Sequence, residues 1–360
     1  MNFPAATIEE AISFLREEDA FVLSRGGGTK APLLTVDGET SFLDLSGLTG
    51  IVEYEPSEYV FTARAGTTLV EINQALREHN QYLPFDPPLA NAGATLGGTV
   101  AAGLSGPGRL RYGGLRDFVL GVLFANGSGN ILKGGGRVVK NAAGFDFPKF
   151  LAGSLGRFAV LLELTFKVFP QPEACLTLRF DSHTLAHALG KLFIASLSTW
   201  EPDALELESD GRLFLRISGD SIGLKPRAEA ILHKIGDGII LDDVDASAYW
   251  QSIADFSWAG TDANYAKIPV FPHLIPKLDE ALDRLSMKRR YGMAGNVAWL
   301  SWRCEGIVPD LDAILRNLEL PGLVCRGSSN TVFLGHRQDH GIHAQVKTAF
   351  DPEGRFPPLP

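Results

Sequence analysis

A chain of 360 residues, with 45% hydrophobic and 21% charged side chains, is long enough for two domains with their own cores. Its formal net charge of -9 argues against nucleic acid as a partner, since that needs a basic face, and leaves only local basic pockets to meet phosphate. Cys175, Cys304 and Cys325 are far apart and lack Cys-x-x-Cys pairing, which excludes a disulfide framework and an iron-sulfur cluster. They are expected as buried free thiols.

In chain order, Thr7-Ile8-Glu9-Glu10 is a capping-box signature, followed by Ile8, Ile12 and Leu15 at helical spacing to near Glu17. The apolar run Phe21-Val22-Leu23 reads as a strand opening into Arg25-Gly26-Gly27-Gly28-Thr29-Lys30. Three adjacent glycines leave backbone amides accessible, and Arg25, Lys30 and Thr29 surround them with donors suited to pyrophosphate. On its own the segment reads more readily as an ordinary tight turn than as a phosphate site. Neither the Gly-x-Gly-x-x-Gly of a Rossmann turn, where Ala31 holds the third glycine's place, nor a P-loop is present.

Strands are expected over 51–54 and 59–63, and a helix announced by Thr68 runs on Ile72, Ala75 and Leu76. A second glycine-dense tract extends from Gly93 to Gly114, and a third from Gly134 to Gly156. Between them, 119–125 and 131–133 flank Asn126-Gly127-Ser128-Gly129, a hairpin signal, and another strand covers 159–168. The stretch Phe169-Pro170-Gln171-Pro172 sets a domain boundary. Beyond it, short strands at 176–180, 205–208, 213–217, 297–302 and 332–334 alternate with helical patterns at 185–196, 226–234, 276–285 and 310–318. That alternation predicts an antiparallel sheet with helices on one face.

The order Arg25 to Thr29, Phe85-Asp86-Pro87-Pro88, Ala94-Thr95-Leu96-Gly97-Gly98-Thr99-Val100-Ala101, Arg111-Tyr112-Gly113 with Arg116-Asp117, and Gly153-Ser154-Leu155-Gly156 resembles the vanillyl-alcohol-oxidase-type FAD-binding domain. Within it, Val138-Val139-Lys140-Asn141-Ala142-Ala143-Gly144-Phe145-Asp146 and the closing Lys347-Thr348-Ala349-Phe350-Asp351-Pro352 resemble the FAD-binding E subunit of bacterial glycolate oxidase. The resemblance implies an α+β fold. Two α+β subdomains would form the FAD-binding domain over 1–171, a smaller cap domain for substrate or partner would cover 172–340, and 341–360 would return to the first domain.

It further implies noncovalent FAD held by Arg25, Gly26, Gly27, Gly28, Thr29, Lys30, Pro87, Pro88, Gly93, Ala94, Thr95, Gly97, Gly98, Thr99, Ala102, Gly113, Asn141, Gly144 and Asp146. No His or Cys lies in 24–31 or 85–117 to tether the flavin. Asp146 reads equally as a helix cap, and Arg109, Arg111 and Arg116 either hold phosphate or tie their own loop. The implied reaction is oxidation of glycolate or a similar 2-hydroxy acid to glyoxylate, with a D-like flavoprotein subunit and an iron-sulfur subunit as partners. A self-sufficient FAD-dependent oxidase and an interaction subunit with a structural flavin stand as alternatives.

Catalytic residues are not legible. Arg303, Arg326, His336, Tyr291 and Asn296 are candidates by residue type, each with an ordinary surface or core reading. No metal site is expected, His336, His340 and His343 reading as a solvated cluster, and the histidine-rich metal motif of the D subunit has no counterpart. With no leader and no run of 18 uncharged apolar residues, the expected location is the cytoplasm, any contact with the inner membrane being made through partners.

Overall fold

The computed structural model describes residues 1–36, 39–136, 144–260, 263–327, 331–337 and 340–358. The chain forms two compact units: 1–105, 114–171 and 338–360 make the first, 106–113 and 172–337 the second. The excursion of 106–113 into the second unit has no signature in the sequence.

The first unit opens with β1 (Asn2–Pro4), α1 (Ile8–Glu17), β2 (Phe21–Arg25) and β3 (Thr40–Asp44), the strands pairing in parallel in the order β1-β3-β2. Helix α1 starts where Thr7 Oγ1 accepts from the Glu10 amide and the Glu10 carboxylate accepts from the Thr7 amide, so the capping box is formed. The helix then buries Ala11, Ile12, Phe14 and Leu15 against Val22, Leu43 and Phe356. Full burial of Leu15 alone contributes about 2 kcal/mol.

Then come β4 (Ile51–Glu55), β5 (Val60–Arg64), α2 (Leu69–Arg77), β6 (Gln81–Tyr82), α3 (Leu96–Ala102), α4 (Arg109–Tyr112, in the second unit), β7 (Val119–Ala125), β8 (Ile131–Gly135), α5 (Phe147–Leu151), β9 (Val160–Lys167) and β10 (Phe169–Pro170). Five strands form an antiparallel sheet in the order β4-β5-β9-β7-β8, with the expected hairpin joining β7 to β8. Phe61, Phe85, Phe118 and Phe166 are fully buried there and pack ring against ring. The second glycine tract, lacking bulky side chains, supplies α3, because Thr95 caps it and Leu96, Val100 and Ala102 bury its inner side.

The second unit holds β11 (Ala174–Phe180), α6 (Leu185–Ser196), β12 (Ala204–Glu208), β13 (Leu213–Gly219), α7 (Leu224–Ile235), β14 (Gly238–Ile240), α8 (Asp243–Ala254), β15 (Asn264–Pro269), α9 (Ile275–Asp283), β16 (Lys288–Gly292), β17 (Val297–Trp302), α10 (Val308–Asn317), β18 (Pro321–Arg326) and β19 (Phe333–Gly335). Its nine strands form one antiparallel sheet in the order β14-β11-β13-β12-β16-β17-β15-β18-β19. Apolar residues of α6, α7, α9 and α10 cover one face. Contrary to the expectation of helices on one face only, α8 packs on the other: Tyr249 stacks on Phe214 at 3.6 Å and Trp250 Nε1 donates to Thr177 Oγ1 at 2.8 Å. Phe214 and Thr177 alternate with the core residues of their strands, so they project to that second face.

The last helix, α11 (His340–Phe350), leads the C-terminal segment within the first unit. There the fully buried Asp351 carboxylate pairs with Lys347 at 2.7 Å and accepts from the Arg355 and Phe356 amides. The thiols depart from expectation: Cys325 is buried, but Cys175 and Cys304 are exposed. Cys175 faces away from the core because it alternates with Leu176 and Leu178, and β14 covers only Leu178–Phe180 of β11. No helix among the described residues is long and apolar enough to cross a membrane.

Candidate functional site

Strand β2 ends at Arg25, and the chain turns through Gly26, Gly27 and Gly28 into a cavity of about 710 Å³, counting its open mouth. The lining runs from Ser24 to Lys30 and continues with Leu33, Leu45, Ala65, Thr95, Gly97, Gly98, Ala101, Ala102, Leu155, Gly156 and Leu161. All lie in the first unit, and none is acidic. The concavity, the mostly apolar walls and the few polar groups are those of a small-molecule site.

The three glycine tracts meet here through contacts that admit no side chain. A Cβ on Gly26 would stand 2.1 Å from Thr95 Oγ1, one on Gly27 1.9 Å from the Gly93 carbonyl oxygen, and one on Gly97 2.7 Å from Ala65 Cβ. A Cβ on Gly103 would lie 2.9 Å from Gly153 Cα, and the Gly153 and Leu155 amides donate to the Val100 and Ala101 carbonyls. Gly28 differs. Its φ of 64° is left-handed, and a Cβ there would meet nothing within 4 Å.

Donor inventory separates the first tract from the second. The amides of Leu96, Gly97, Gly98 and Thr99 already donate to Thr67 O, Ala65 O, Thr95 Oγ1 and Thr95 O, so the second tract offers closeness rather than hydrogen bonds. The amides of Gly26, Gly27, Gly28 and Thr29 find no acceptor among the described residues. Four successive donors at the rim of a cavity whose described lining holds no acid fit a phosphate-bearing ligand.

Charge is arranged around them. The Arg25 guanidinium donates to Asp44 Oδ2 from Nε at 3.2 Å and Nη2 at 2.9 Å, so it is oriented and largely neutralised. Burial raises the Asp44 carboxyl, but hydrogen bonds from Ser46 and from Arg25 outweigh it and hold the group below its ordinary value. Lys30 is buried and its ammonium donates to Thr29 Oγ1 at 2.9 Å. Arg157, next to cavity-lining Gly156, is 1% exposed and donates to the carbonyls of Leu33, Thr35 and Pro358. Burial without a carboxylate lowers it to about 10.

Of the residues expected at a cofactor, Arg25 to Lys30, Thr95, Gly97, Gly98 and Ala102 line the cavity. Gly93 and Ala94 back it, Gly93 against Gly27, with the Ala94 carbonyl accepting from Leu69. Thr99 is buried on α3 outside the lining, and Pro87 and Pro88 belong to the preceding turn. Gly113 ends α4 in the second unit, and Asn141 lies outside the described residues. Gly144 is exposed with φ 98°, and Asp146 is exposed and caps α5, accepting from the Lys149 amide.

Other candidates resolve differently. Arg111 pairs with Asp203 at 2.8 Å and so ties 106–113 to β12 rather than standing ready for phosphate. Tyr291 is buried in the core with its hydroxyl on Asp279, and Asn296 Nδ2 closes a turn on the Met293 carbonyl. Arg303 and His336 are exposed. Sequence reasoning missed the apolar walls Leu33, Leu45, Ala65, Leu155 and Leu161, which come from separate strands and turns. For Leu155 and Gly156 the third glycine tract was the available signal. No three His, Cys, Asp or Glu groups among the described residues come together to hold a metal.

Comparison with known proteins agrees with this geometry. Residues 5–135 match the FAD binding domain family, so the first unit carries an FAD-binding domain. Alkyldihydroxyacetonephosphate synthase superposes with a TM-score of 0.73 over 100% of this chain and 77% of its own, at 14% identity, which shows a shared fold. The chain is 28% identical over 207 residues to the D-lactate dehydrogenase of Archaeoglobus fulgidus, covering 56% of this chain and 46% of that one. It is 26% identical to glycolate oxidase subunit GlcD of Bacillus subtilis, spanning 64% of this chain and 49% of that relative. Identity with glycolate oxidase subunit GlcE of Escherichia coli reaches 35% over 270 residues, 72% of either chain. On that similarity, with its vanillyl-alcohol-oxidase-type fold, the chain belongs to the family of FAD-binding E subunits of glycolate oxidase.

Proposed function

We propose that this chain is the FAD-carrying subunit of a complex that oxidises glycolate, or a 2-hydroxy acid of that size, to the 2-oxo acid and passes the electrons to an iron-sulfur partner. The observation that carries the reading is the set of four amides, Gly26 to Thr29, without acceptors among the described residues, at a cavity whose described lining holds no acid, in a chain of this family. These amides would hold the pyrophosphate, with Arg25 kept in place by Asp44 and Lys30 adding charge. Gly97, Gly98, Ala101 and Ala102 would let a flat ring approach the backbone, while Leu33, Leu155 and Leu161 exclude water. Bound FAD supplies an acceptor for the hydride leaving the hydroxyl-bearing carbon.

Electrons must then leave, and the three cysteines of the chain cannot ligate a cluster. The names of the relatives, subunits D and E of glycolate oxidase, support an assembly with a D-like flavoprotein. The test is glycolate-dependent dye reduction by the purified FAD-loaded chain, alone and with a D-like flavoprotein and an iron-sulfur protein. The expected result is little activity alone and recovery on reconstitution. Rapid turnover by the chain alone would establish the self-sufficient enzyme instead.

A further inference from the structure

The closing run 347–352 lines no part of the cavity among the described residues, yet its Asp351 carboxylate is fully buried in the first unit. The Lys347 ammonium donates to that carboxylate at 2.7 Å and to the backbone carbonyl of Arg157. It also lies 5.3 Å from the ring centre of Phe356 and 5.7 Å from that of Phe158. Asp351 accepts from the Arg355 and Phe356 amides, which folds 351–356 back on the unit. The Arg355 carbonyl then accepts from the Val22 amide at 2.8 Å, and Phe356 enters the core beside Val22, Leu43 and cavity-lining Leu45. Val22 belongs to β2, the strand that ends in the glycine cradle.

Arg157 grips the same segment further on. Its Nη1 donates to the Pro358 carbonyl at 3.4 Å, and its Nη2 to the carbonyls of Leu33 at 3.2 Å and Thr35 at 2.8 Å. Leu33 stands on one wall of the cavity, while Leu155 and Gly156, just before Arg157, stand on another. Leu155 holds a left-handed backbone with φ 54°, which a leucine keeps only where its surroundings impose it. One guanidinium, 1% exposed, thus joins both walls to the closing segment, and no carboxylate pairs with it among the described residues. An apolar side chain would fill this space at lower cost. What the guanidinium adds is a rigid planar fork that fixes three carbonyls in one geometry.

We propose that Arg157 is a positioning residue for the flavin: held to the closing segment through Lys347 and Pro358, it sets the spacing of the Leu33 and Gly156 walls, so that FAD binding and docking of 347–358 are coupled. The inference rests on the proposed function for the placement of FAD in this cavity. The coupling is reciprocal: what the docked segment adds to FAD affinity, FAD adds to the docking of the segment. A clasp with a structural role alone would open locally to the same extent with and without flavin.

Hydrogen exchange read by mass spectrometry on the full chain, flavin-free and at free FAD about 100 times its Kd, measures the coupling without any variant. Complete coupling slows exchange of the Arg355 and Phe356 amides by about 100-fold, and a slowing of about tenfold or more is expected. Exchange there that FAD leaves unchanged would overturn the inference. Arg157→Lys and Asp351→Asn should each weaken FAD by about tenfold or more in fluorescence titration, while folding as judged by circular dichroism. Phe61→Leu, a core change in the five-stranded sheet, should lower the urea midpoint and leave FAD affinity unaltered. Wild-type FAD affinity in either folded variant, or equal weakening by Phe61→Leu, would also overturn the inference. Asp351 lies outside the cavity lining, so its variant reports even if Arg157→Lys misfolds. A folded wild-type chain that takes up no flavin would overturn the proposed function together with this inference, a result distinct from FAD binding that ignores the variants.

Discussion

Gly28 offers a direct probe of charge at the cradle, because it can accept a side chain without a collision. Its φ of 64° suits Asn and Asp better than other residues, and a Cβ there meets nothing within 4 Å. Gly28→Asn should therefore cost about 1 kcal/mol or less in stability. Gly28→Asp has the same shape and adds one negative charge at the cavity wall, where Arg25 is already engaged by Asp44 at 2.9 Å. Against one phosphate charge about 6 Å away, at an effective dielectric of about 20, the repulsion is about 3 kcal/mol, or roughly 100-fold in affinity. Fluorescence titration of the flavin-free chain with FAD measures the ratio of Asp to Asn affinities, and urea unfolding of both controls for folding. Asp and Asn variants that bind FAD within about threefold of each other would refute the placement of the phosphates at this turn.

Gly27 should behave differently, since its restriction is the Gly93 carbonyl rather than a left-handed backbone. Gly27→Ala forces apart contacts at 1.9 Å and should lower unfolding free energy by about 1–3 kcal/mol, read from the urea midpoint, whereas Gly28→Ala should cost only about 1 kcal/mol. Asp44 links stability to pH: its folded pKa lies below the ordinary 3.8, so its contribution is present above that value and lost as pH falls through the folded value. Asp44→Asn should therefore flatten the acid limb of a stability-versus-pH curve, by no more than about 1 kcal/mol because the Arg25 side chain is 37% exposed. Because neither His nor Cys lines the cavity among the described residues, acid precipitation should release all the flavin, and colour left in the pellet would show a covalent link.

Where local pattern and burial agree, the sequence is readable. Helix α6 occupies the expected 185–196, and the Asn-Gly-Ser-Gly hairpin joins β7 to β8. Strand β16 was missed because Lys-Arg-Arg-Tyr-Gly shows no apolar alternation, and Arg290 is buried only through Glu206, 84 residues away. Strand β15 hides similarly, with Lys267 on the polar face and Pro269 at its end. Helix α8 buries little apolar surface, so Asp242 capping was its main signal. At the site, glycine density located the tracts, but not that the α3 amides are already satisfied while those of Gly26 to Thr29 find no acceptor among the described residues. That difference arises in part from contacts between segments about 30 residues apart, since the Leu96 and Gly97 amides reach the Thr67 and Ala65 carbonyls.

The most direct measurement is the flavin content of the purified chain, with the cofactor identified after release. One FAD per chain is predicted, fully removable without denaturing reagents that cleave covalent bonds, and lost in Gly28→Asp while retained in Gly28→Asn. A correctly folded wild-type chain that binds no FAD, or holds it equally well in both variants, would contradict the account.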